Sequence, residues 1–390
     1  MVAFAQITQI LKTRFNRAEF PRIKLYLIGA CLICSNAMAE PCAKNPSDDP
    51  VLGFQVLSEN DNFYSHTDQY YTNGIQVSWW KGNEGIPEGV NTLIDRVQGE
   101  ASGDCDAHKT RRAIIYSFGQ LMYTPQDIKI ASPQPLDRPW AGWLYVGAAI
   151  SDQRVKQWGS TTIGLRNTYG LDLGVTGPPS LAEQTQKFVH KIIDSPKPQG
   201  WDHQIKTEPG AILKYKIEAR EIKDYPLFDL TPYTGFMLGN IMTNASIGAI
   251  ARIGVFNCGF EYFQKKIGPT NVNQLASLDK VPVPPPTQCS SRTLGPLSEL
   301  YVSGGIEARG VARNIFLDGN TFRDSASVDK KYFVYDISWG IYGKLGPSTG
   351  IFNGMFFGIT WVRRSPEFST PAGDAAIQRY GAINIGWEAF

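Results

Sequence analysis

Three groups of side chains, far apart in the chain, are of the types that hydrolytic chemistry uses. His190 follows Gln186 by one helical turn, Asn60 and Asp61 are adjacent, and Thr72 sits in the run Tyr70-Tyr71-Thr72-Asn73-Gly74. An imidazole exchanges a proton near neutral pH, and amides, a carboxylate and a hydroxyl beside it add hydrogen-bonding oxygens. None of these is a site alone. They matter only if the surrounding elements carry them to one place. Neither an α/β-hydrolase nucleophile elbow nor a His-Glu-x-x-His zinc motif is read in the chain.

Composition decides which elements are available. The 390 residues are 42% hydrophobic and 19% charged, with a mean hydropathy of -0.22. No stretch approaches the roughly 20 apolar residues of a membrane helix. Gly (38), Phe (20), Tyr (17) and Trp (9) instead punctuate short segments of alternating polarity, the signature of an outer-membrane barrel. About twelve such segments are read: 52–60, 72–80, 112–120, 140–150, 158–168, 210–219, 227–236, 243–253, 300–308, 332–342, 353–363 and 379–388. In the second, Ile75, Val77 and Trp79 share one face, and Thr72, Gly74, Gln76 and Ser78 the other. Ile163 and Leu165 oppose Thr162, Gly164 and Arg166; Ile383, Ile385 and Trp387 oppose Asn384, Gly386 and Glu388. The apolar sets are expected to face lipid and the polar sets, Thr72 included, the lumen. The expected fold is an all-β, membrane-spanning, antiparallel up-and-down barrel of about 12 strands, with a short helix near the extracellular rim. Phe390 supplies a terminal aromatic.

The N-terminus agrees with export. Arg14, Arg17, Arg22 and Lys24 precede an apolar run from Leu25 to Cys34, and Ala37-Met38-Ala39 gives a small-x-small site. Residues 1–39 therefore read as a signal peptide and 40–390 as the outer-membrane barrel enzyme domain. A lipoprotein-like site at Ile28-Gly29-Ala30-Cys31 is the weaker rival, with too short an apolar run before it. Cleavage removes five basic residues and one acidic, leaving 33 against 35 and a net charge near -2, which gives no argument for nucleic acid. Cys42, Cys105, Cys258 and Cys289 remain. In an exported chain an even count without Cys-x-x-Cys spacing suggests disulfides, with three pairings open. Placing both termini in the periplasm makes 61–71, 121–139, 169–209, 237–242, 309–331 and 364–378 extracellular, and 81–111 and 254–299 long periplasmic segments. All four cysteines then share the periplasmic side, so Cys42–Cys105 and Cys258–Cys289 are plausible pairs. Part of the long segments folding into the barrel mouth is the alternative.

The stretch 180–194 departs from the strand pattern. Ser180-Leu181-Ala182-Glu183 reads as a capping box, with Leu181, Phe188 and Ile192 on one helix face and Glu183, Gln186, His190 and Asp194 on the other. On the helix alone, His190 reads as a solvent-facing surface histidine. Its company argues otherwise, because Asn60-Asp61, Thr72 and this helix all fall at the same rim. The helix is expected to narrow or roof the lumen.

The motifs Ser58-Glu59-Asn60-Asp61-Asn62, Tyr71-Thr72-Asn73-Gly74, Gln120-x-x-Tyr123-Thr124-Pro125, Asp137-Arg138-Pro139-Trp140-Ala141-Gly142, Gln186-x-x-x-His190 and Gly200-Trp201-Asp202-x-Gln204 occur in this order. Together they resemble the outer-membrane lipid A 3'-O-deacylase family, from about residue 51 to the C-terminus. The resemblance implies a twelve-stranded barrel that hydrolyses, with Ca2+, the ester holding the 3'-linked acyl (acyloxyacyl) chain of lipid A. It implies His190 as the general base, with Gln186 supporting it, Asn60 and Asp61 forming the calcium and carbonyl-polarising site, and Thr72 lining that site. It also implies lipopolysaccharide as substrate, outer-membrane lipid as surroundings, and a site facing the extracellular leaflet. The sequence departs from relatives in having Asn62 where some carry a second acid, and no glutamate soon after His190, the nearest being Glu208. Lys129 and Arg138 are candidates to meet lipid A phosphates. The alternatives are a phospholipase-like esterase of the outer membrane, with His190 again the base, and a non-enzymatic pore or adhesin barrel. Oligomeric state is left open.

Overall fold

Alternation with a period of two needs a closed sheet if both faces are to be satisfied in lipid, since an open edge would leave backbone groups unpaired. The computed structural model describes residues 53–64, 69–82, 85–97, 110–222, 227–256, 260, 265–266, 294–371 and 373–388, all within the compact unit Cys42–Phe390. The signal segment 1–39, the four mature cysteines with their candidate pairings, and Phe390 lie outside the described residues. The barrel strands are β1 (Gly53–Asn60), β2 (Tyr70–Gly82), β3 (Thr110–Thr124), β4 (Ala141–Trp158), β5 (Thr161–Thr176), β6 (Glu208–Glu221), β7 (Phe228–Gly239), β8 (Met242–Val255), β9 (Leu297–Asn314), β11 (Phe333–Leu345), β12 (Met355–Arg364) and β15 (Gln378–Glu388). Each pairs antiparallel with its neighbours, and β1 closes on β15 from Gly53↔Glu388 to Asn60↔Gly381. All twelve expected segments form, most of them longer than the alternation showed. A small three-stranded sheet, β10 (Asp329–Lys330), β13 (Phe368–Thr370) and β14 (Gly373–Asp374), stands apart from the barrel. The end where β1 finishes and β2 begins is called the upper rim below, and the other end the lower rim.

The faces sort as expected. Ile75, Val77 and Trp79, and likewise Ile383 and Ile385, are exposed on the outside, while Gln76, Ser78, Asn384 and Glu388 are buried within. The lumen is packed rather than open. Arg166 pairs with Glu218 at 2.6 Å, Arg309 with Asp336 at 2.8 Å, and Lys214 with Asp172. Apolar layers lie among these pairs, one built around Tyr71, Tyr123 and Trp143, another around Trp80, Tyr301 and Phe356. Part of the long 254–299 connection also enters the barrel. Lys265 donates to Ser303 Oγ at 2.7 Å, Lys266 pairs with Asp336 at 3.3 Å, and Phe260 lies beneath the Arg166 guanidinium at 4.7 Å.

Three helices complete the description: α1 (Glu88–Val97), α2 (Ala182–Ile192) and the single turn α3 (Ile315–Asp318). Asn314 caps α3 by accepting from Phe316 N. Phe316 stacks on lumenal Tyr123 with ring centroids 4.3 Å apart. The element that closes the upper end of the lumen is therefore α3, and the expectation that the His190 helix roofs it is corrected. Helix α2 lies outside the barrel wall.

Candidate active site

The placement of α2 follows from side-chain parity on the two strands beneath it. On β3, Leu121 and Tyr123 belong to the lumenal core, so Gln120, Met122 and Thr124 point outward, and all three are buried. Their cover is the chain leading into α2. Gln120 Nε2 donates to Ser180 O at 2.6 Å, and Met122 packs with Ile128, Trp140, Ala182 and Trp201. On β4, Gly142 has no side chain because Ser180 Oγ and the Ala182 methyl occupy the space a Cβ would need.

That packing overrides the expected capping box. Pro178 and Pro179 open a 3-10 turn, Pro178–Ser180, and Leu181, with φ 59°, takes the N-cap position with no side-chain cap bond. Ser180 is thereby spent on the wall rather than on the helix. At the other end Asp194 adopts φ 52° and Ser195 N donates to His190 O at 2.9 Å, the left-handed reversal that ends many helices. The reversal turns the following chain back under the helix, so that His190 Nδ1 meets Pro196 O at 2.6 Å. A carbonyl only accepts, so Nδ1 carries the hydrogen, and the neutral ring holds its lone pair on Nε2. His190 and Gln186 are both buried, which corrects the solvent-facing reading. Gln186 Oε1 accepts from Trp201 Nε1 at 2.7 Å, and Trp201 leans on Trp140 with centroids 5.0 Å apart.

Thr72 also changes sides. The β2–β3 register slips between Tyr71↔Tyr123 and Asn73↔Met122, a bulge that leaves Thr72 as the extra residue. Its hydroxyl lies 2.7 Å from that of outward-facing Thr124, so Thr72 belongs to the outer face and not to the lumen. Asn60 continues the outward parity of Phe54 and Val56 and pairs across to Asn73. Its Oδ1 accepts from Asn62 N at 2.8 Å and caps the 3-10 turn Asp61–Phe63. Neighbouring strands are about 4.8 Å apart, so the tops of β1 and β3 stand roughly 10 Å apart with Thr72 between them. Asn60, Thr72 and Thr124 thus line one stretch of outer wall next to the α2 seat. Asp61 is buried and accepts from Gln69 N through Oδ2 at 2.7 Å. It borders a cavity of about 370 Å³ with Tyr70, Tyr71, Gln378 and, from the exposed side, Arg379.

A family profile described as outer membrane protein LpxR matches residues 27–389. The chain belongs to the LpxR family. Among solved structures it is similar to LpxR from Salmonella typhimurium, with a TM-score of 0.60 and 18% identity over 86% of this chain and 99% of that one. The translocator domain of the autotransporter NalP from Neisseria meningitidis follows at TM-score 0.36 and 8% identity, over 87% of each chain. No curated protein matches the chain. Membership in LpxR makes this an outer-membrane barrel.

The calcium that the resemblance to this family implies can be set against the residues present. No group of three or more His, Cys, Asp or Glu suited to a metal occurs among the described residues. The Asp61 cavity nevertheless fits a hard cation by its oxygens. It joins a buried carboxylate to the buried Gln378 amide, neither polar atom of which bonds to a described residue, and oxygen ligands of mixed charge suit Ca2+. Asp61 and Gln378 are the residues of this LpxR chain that would hold it, while Asn60, which the resemblance also implies, does not line that cavity and spends its Oδ1 on Asn62 N.

Two other readings are corrected, those of Arg138 and of the missing nucleophile-elbow pattern, and Glu208 falls in place as a rim residue. Arg138 is fully buried, paired to Glu367 at 2.8 Å and stacked 4.4 Å over Tyr123, so it builds the rim and does not reach for phosphate. Glu208 serves the upper-rim loops, accepting from Thr321 N at 2.8 Å and Asn240 Nδ2 at 2.9 Å, and does not support His190. Gly346-Pro347-Ser348-Thr349-Gly350 does spell Gly-x-Ser-x-Gly, but it lies in an exposed turn at the lower rim and forms no elbow. The residues that sequence reading passed over are Thr124, Trp201 and Gln120. Each stood in a quoted motif, and none carries chemistry until its partner is placed.

Proposed function

We propose that this LpxR-family barrel is a calcium-dependent ester hydrolase that removes the 3'-linked acyl (acyloxyacyl) chain of lipid A, working at the extracellular leaflet. The observation that carries the reading is the His190 Nδ1 contact to Pro196 O. It fixes the tautomer a general base needs, on a helix pressed against the lipid-facing wall rather than over the lumen. A site there opens toward the lipids themselves.

In this mechanism His190 Nε2 takes a proton from water as the water oxygen bonds to the ester carbonyl carbon. Collapse breaks the bond to the 3'-oxygen, which recovers the proton from Nε2, so the products are a free fatty acid and a 3'-hydroxyl. Bound calcium supplies positive charge where the ester oxygen becomes negative. Asp61 and Gln378 would hold that ion, Asn60 and Thr72 would offer polar atoms to the ester from the outer wall, and Gln186 with Trp201 steadies the helix that carries the base. The filled lumen speaks for this reading over a pore.

Mass spectrometry of lipid A from cells with and without the protein tests the reaction. Loss of one 3'-acyl or acyloxyacyl unit is expected, and unchanged lipid A in both overturns it. A tag inserted in 319–328 is expected to be reached on intact cells, and its protection there would invert the sidedness.

A further inference from the structure

Helices α1 and α2 both turn their apolar stripe away from the protein. In α2, Leu181 just before the helix, Phe188 and Ile192 are 50, 65 and 66% exposed, while Gln186 and His190 face the wall. In α1, Val90, Leu93 and Val97 are 36, 59 and 68% exposed. Its Ile94 is buried on the wall, and Asn91 and Asp95 reach Arg112 beside it, at 3.2 Å to Asn91 Oδ1 and 2.5 Å to Asp95 Oδ1, the Asp95 side chain staying partly exposed. A helix on a water-soluble domain leaves no such apolar stripe uncovered. The inverted arrangement suits a helix lying in a lipid interface.

Both helices sit on the same two strands. α1 belongs to a cluster of Ile86 and Ile94 with Ile114 of β3 and Ile150 of β4, toward the lower rim. The α2 seat covers Gln120 and Met122 of β3 and Gly142 of β4, toward the upper rim. Between the two footprints the wall shows Phe118 and Val146, exposed at 49 and 57%. From Ile114 to Gln120 the strand rises about 20 Å at ~3.4 Å per residue. With a strand tilt of about 40° that is roughly 15 Å along the membrane normal, inside an apolar band about 25 Å tall. The two stripes therefore continue the lipid-facing belt at its edges.

We propose that α1 and α2 are a pair of interfacial helices, each with its apolar stripe among the acyl chains of its own leaflet. The proposal rests on the membrane placement of the barrel and not on the hydrolase reading, so an inactive protein with embedded helices sinks only the latter.

The test uses the full chain in phosphatidylcholine vesicles, with Phe188→Trp and Leu93→Trp made separately and the emission of the nine native tryptophans subtracted as the parent spectrum. Both added emissions are expected to be blue-shifted, to lose most of their intensity when the acyl chains carry bromine, and to resist iodide present on both sides. Quenching by iodide without quenching by bromine, at either position, overturns the paired placement. Protection from both quenchers that vanishes as protein is diluted in lipid also overturns it, in favour of a second copy covering the stripe.

Discussion

Trp201 donates its indole N–H to Gln186 Oε1 at 2.7 Å, and this bond accounts for a glutamine one turn ahead of the candidate base. In the proposed mechanism Gln186 positions the helix and does not react. Losing one such buried bond costs about 1 kcal/mol net, more if a partner is left unsatisfied. Trp201→Phe is expected to lower kcat several-fold through a looser α2 while leaving the pH profile unchanged. A shifted profile would instead place Gln186 in the proton path.

On the proposed mechanism the large effect falls on His190. General-base groups contribute ~10²–10⁴-fold, so His190→Ala is expected to lower turnover by two or more orders of magnitude in a barrel that remains heat-modifiable on gels. The geometry predicts a gentler result for Pro196→Ala, which keeps the accepting carbonyl. Near-normal turnover in the His190 variant refutes the mechanism.

Gly142 tests the seat of the helix. A side chain there meets Ser180 and Ala182, and overpacking of this kind costs about 1–3 kcal/mol. Gly142→Val is expected to lift α2 and abolish most activity without unfolding the barrel, seen as protease cleavage within 182–192. Val146→Ala, on the same outward face but beyond the footprint of the helix, is the control and is expected to behave as the parent.

The strands were legible because lipid imposes a strict period of two, and Ile75, Val77 and Trp79 wrote it plainly. Thr72 was misplaced for the converse reason. No apolar residue marks the phase through Tyr70-Tyr71-Thr72-Asn73, so the one-residue slip that turns Thr72 outward has no signature in the chain. The amphipathic character of α2 was equally clear, yet periodicity does not say which face meets protein when the other solvent is lipid. Ser180 looked like a cap because capping is local, whereas the contacts that claimed it, Gln120 and Gly142, come from other strands. Arg138 shows the same limit over a longer reach, since the carboxylate that claims it lies 229 residues away.

Calcium dependence is expected to follow Asp61. It is the carboxylate bordering the cavity, and oxygen ligands with flexible geometry favour Ca2+ over the smaller Mg2+. Chelation is expected to abolish activity, with calcium restoring it better than magnesium. Asp61→Asn is expected to need far more calcium, and Gln378→Leu to weaken binding of the metal alone by calorimetry. Full activity in chelator removes the metal from the mechanism.

The Arg138–Glu367 pair predicts how the upper rim responds to acid. Burial pushes the Glu367 carboxyl up, but Arg138 and Arg364 beside it outweigh burial and hold it below the usual carboxylate range. A carboxyl lowered in the folded state lends stability that is complete above the ordinary value of about 4.3 and is lost as pH falls through the lowered native value. Cleavage of the 319–328 loop by an acid-active protease is therefore expected to stay slow at pH 5 and to accelerate only well below pH 4. Glu367→Gln leaves the Arg138 charge buried without its carboxylate, a change worth about 3–5 kcal/mol, and is expected to open the loop at neutral pH. Adding Arg138→Met to that variant removes the stranded charge and is expected to restore much of the protection. If the double variant is as open as the single one, the pair is not what closes the rim.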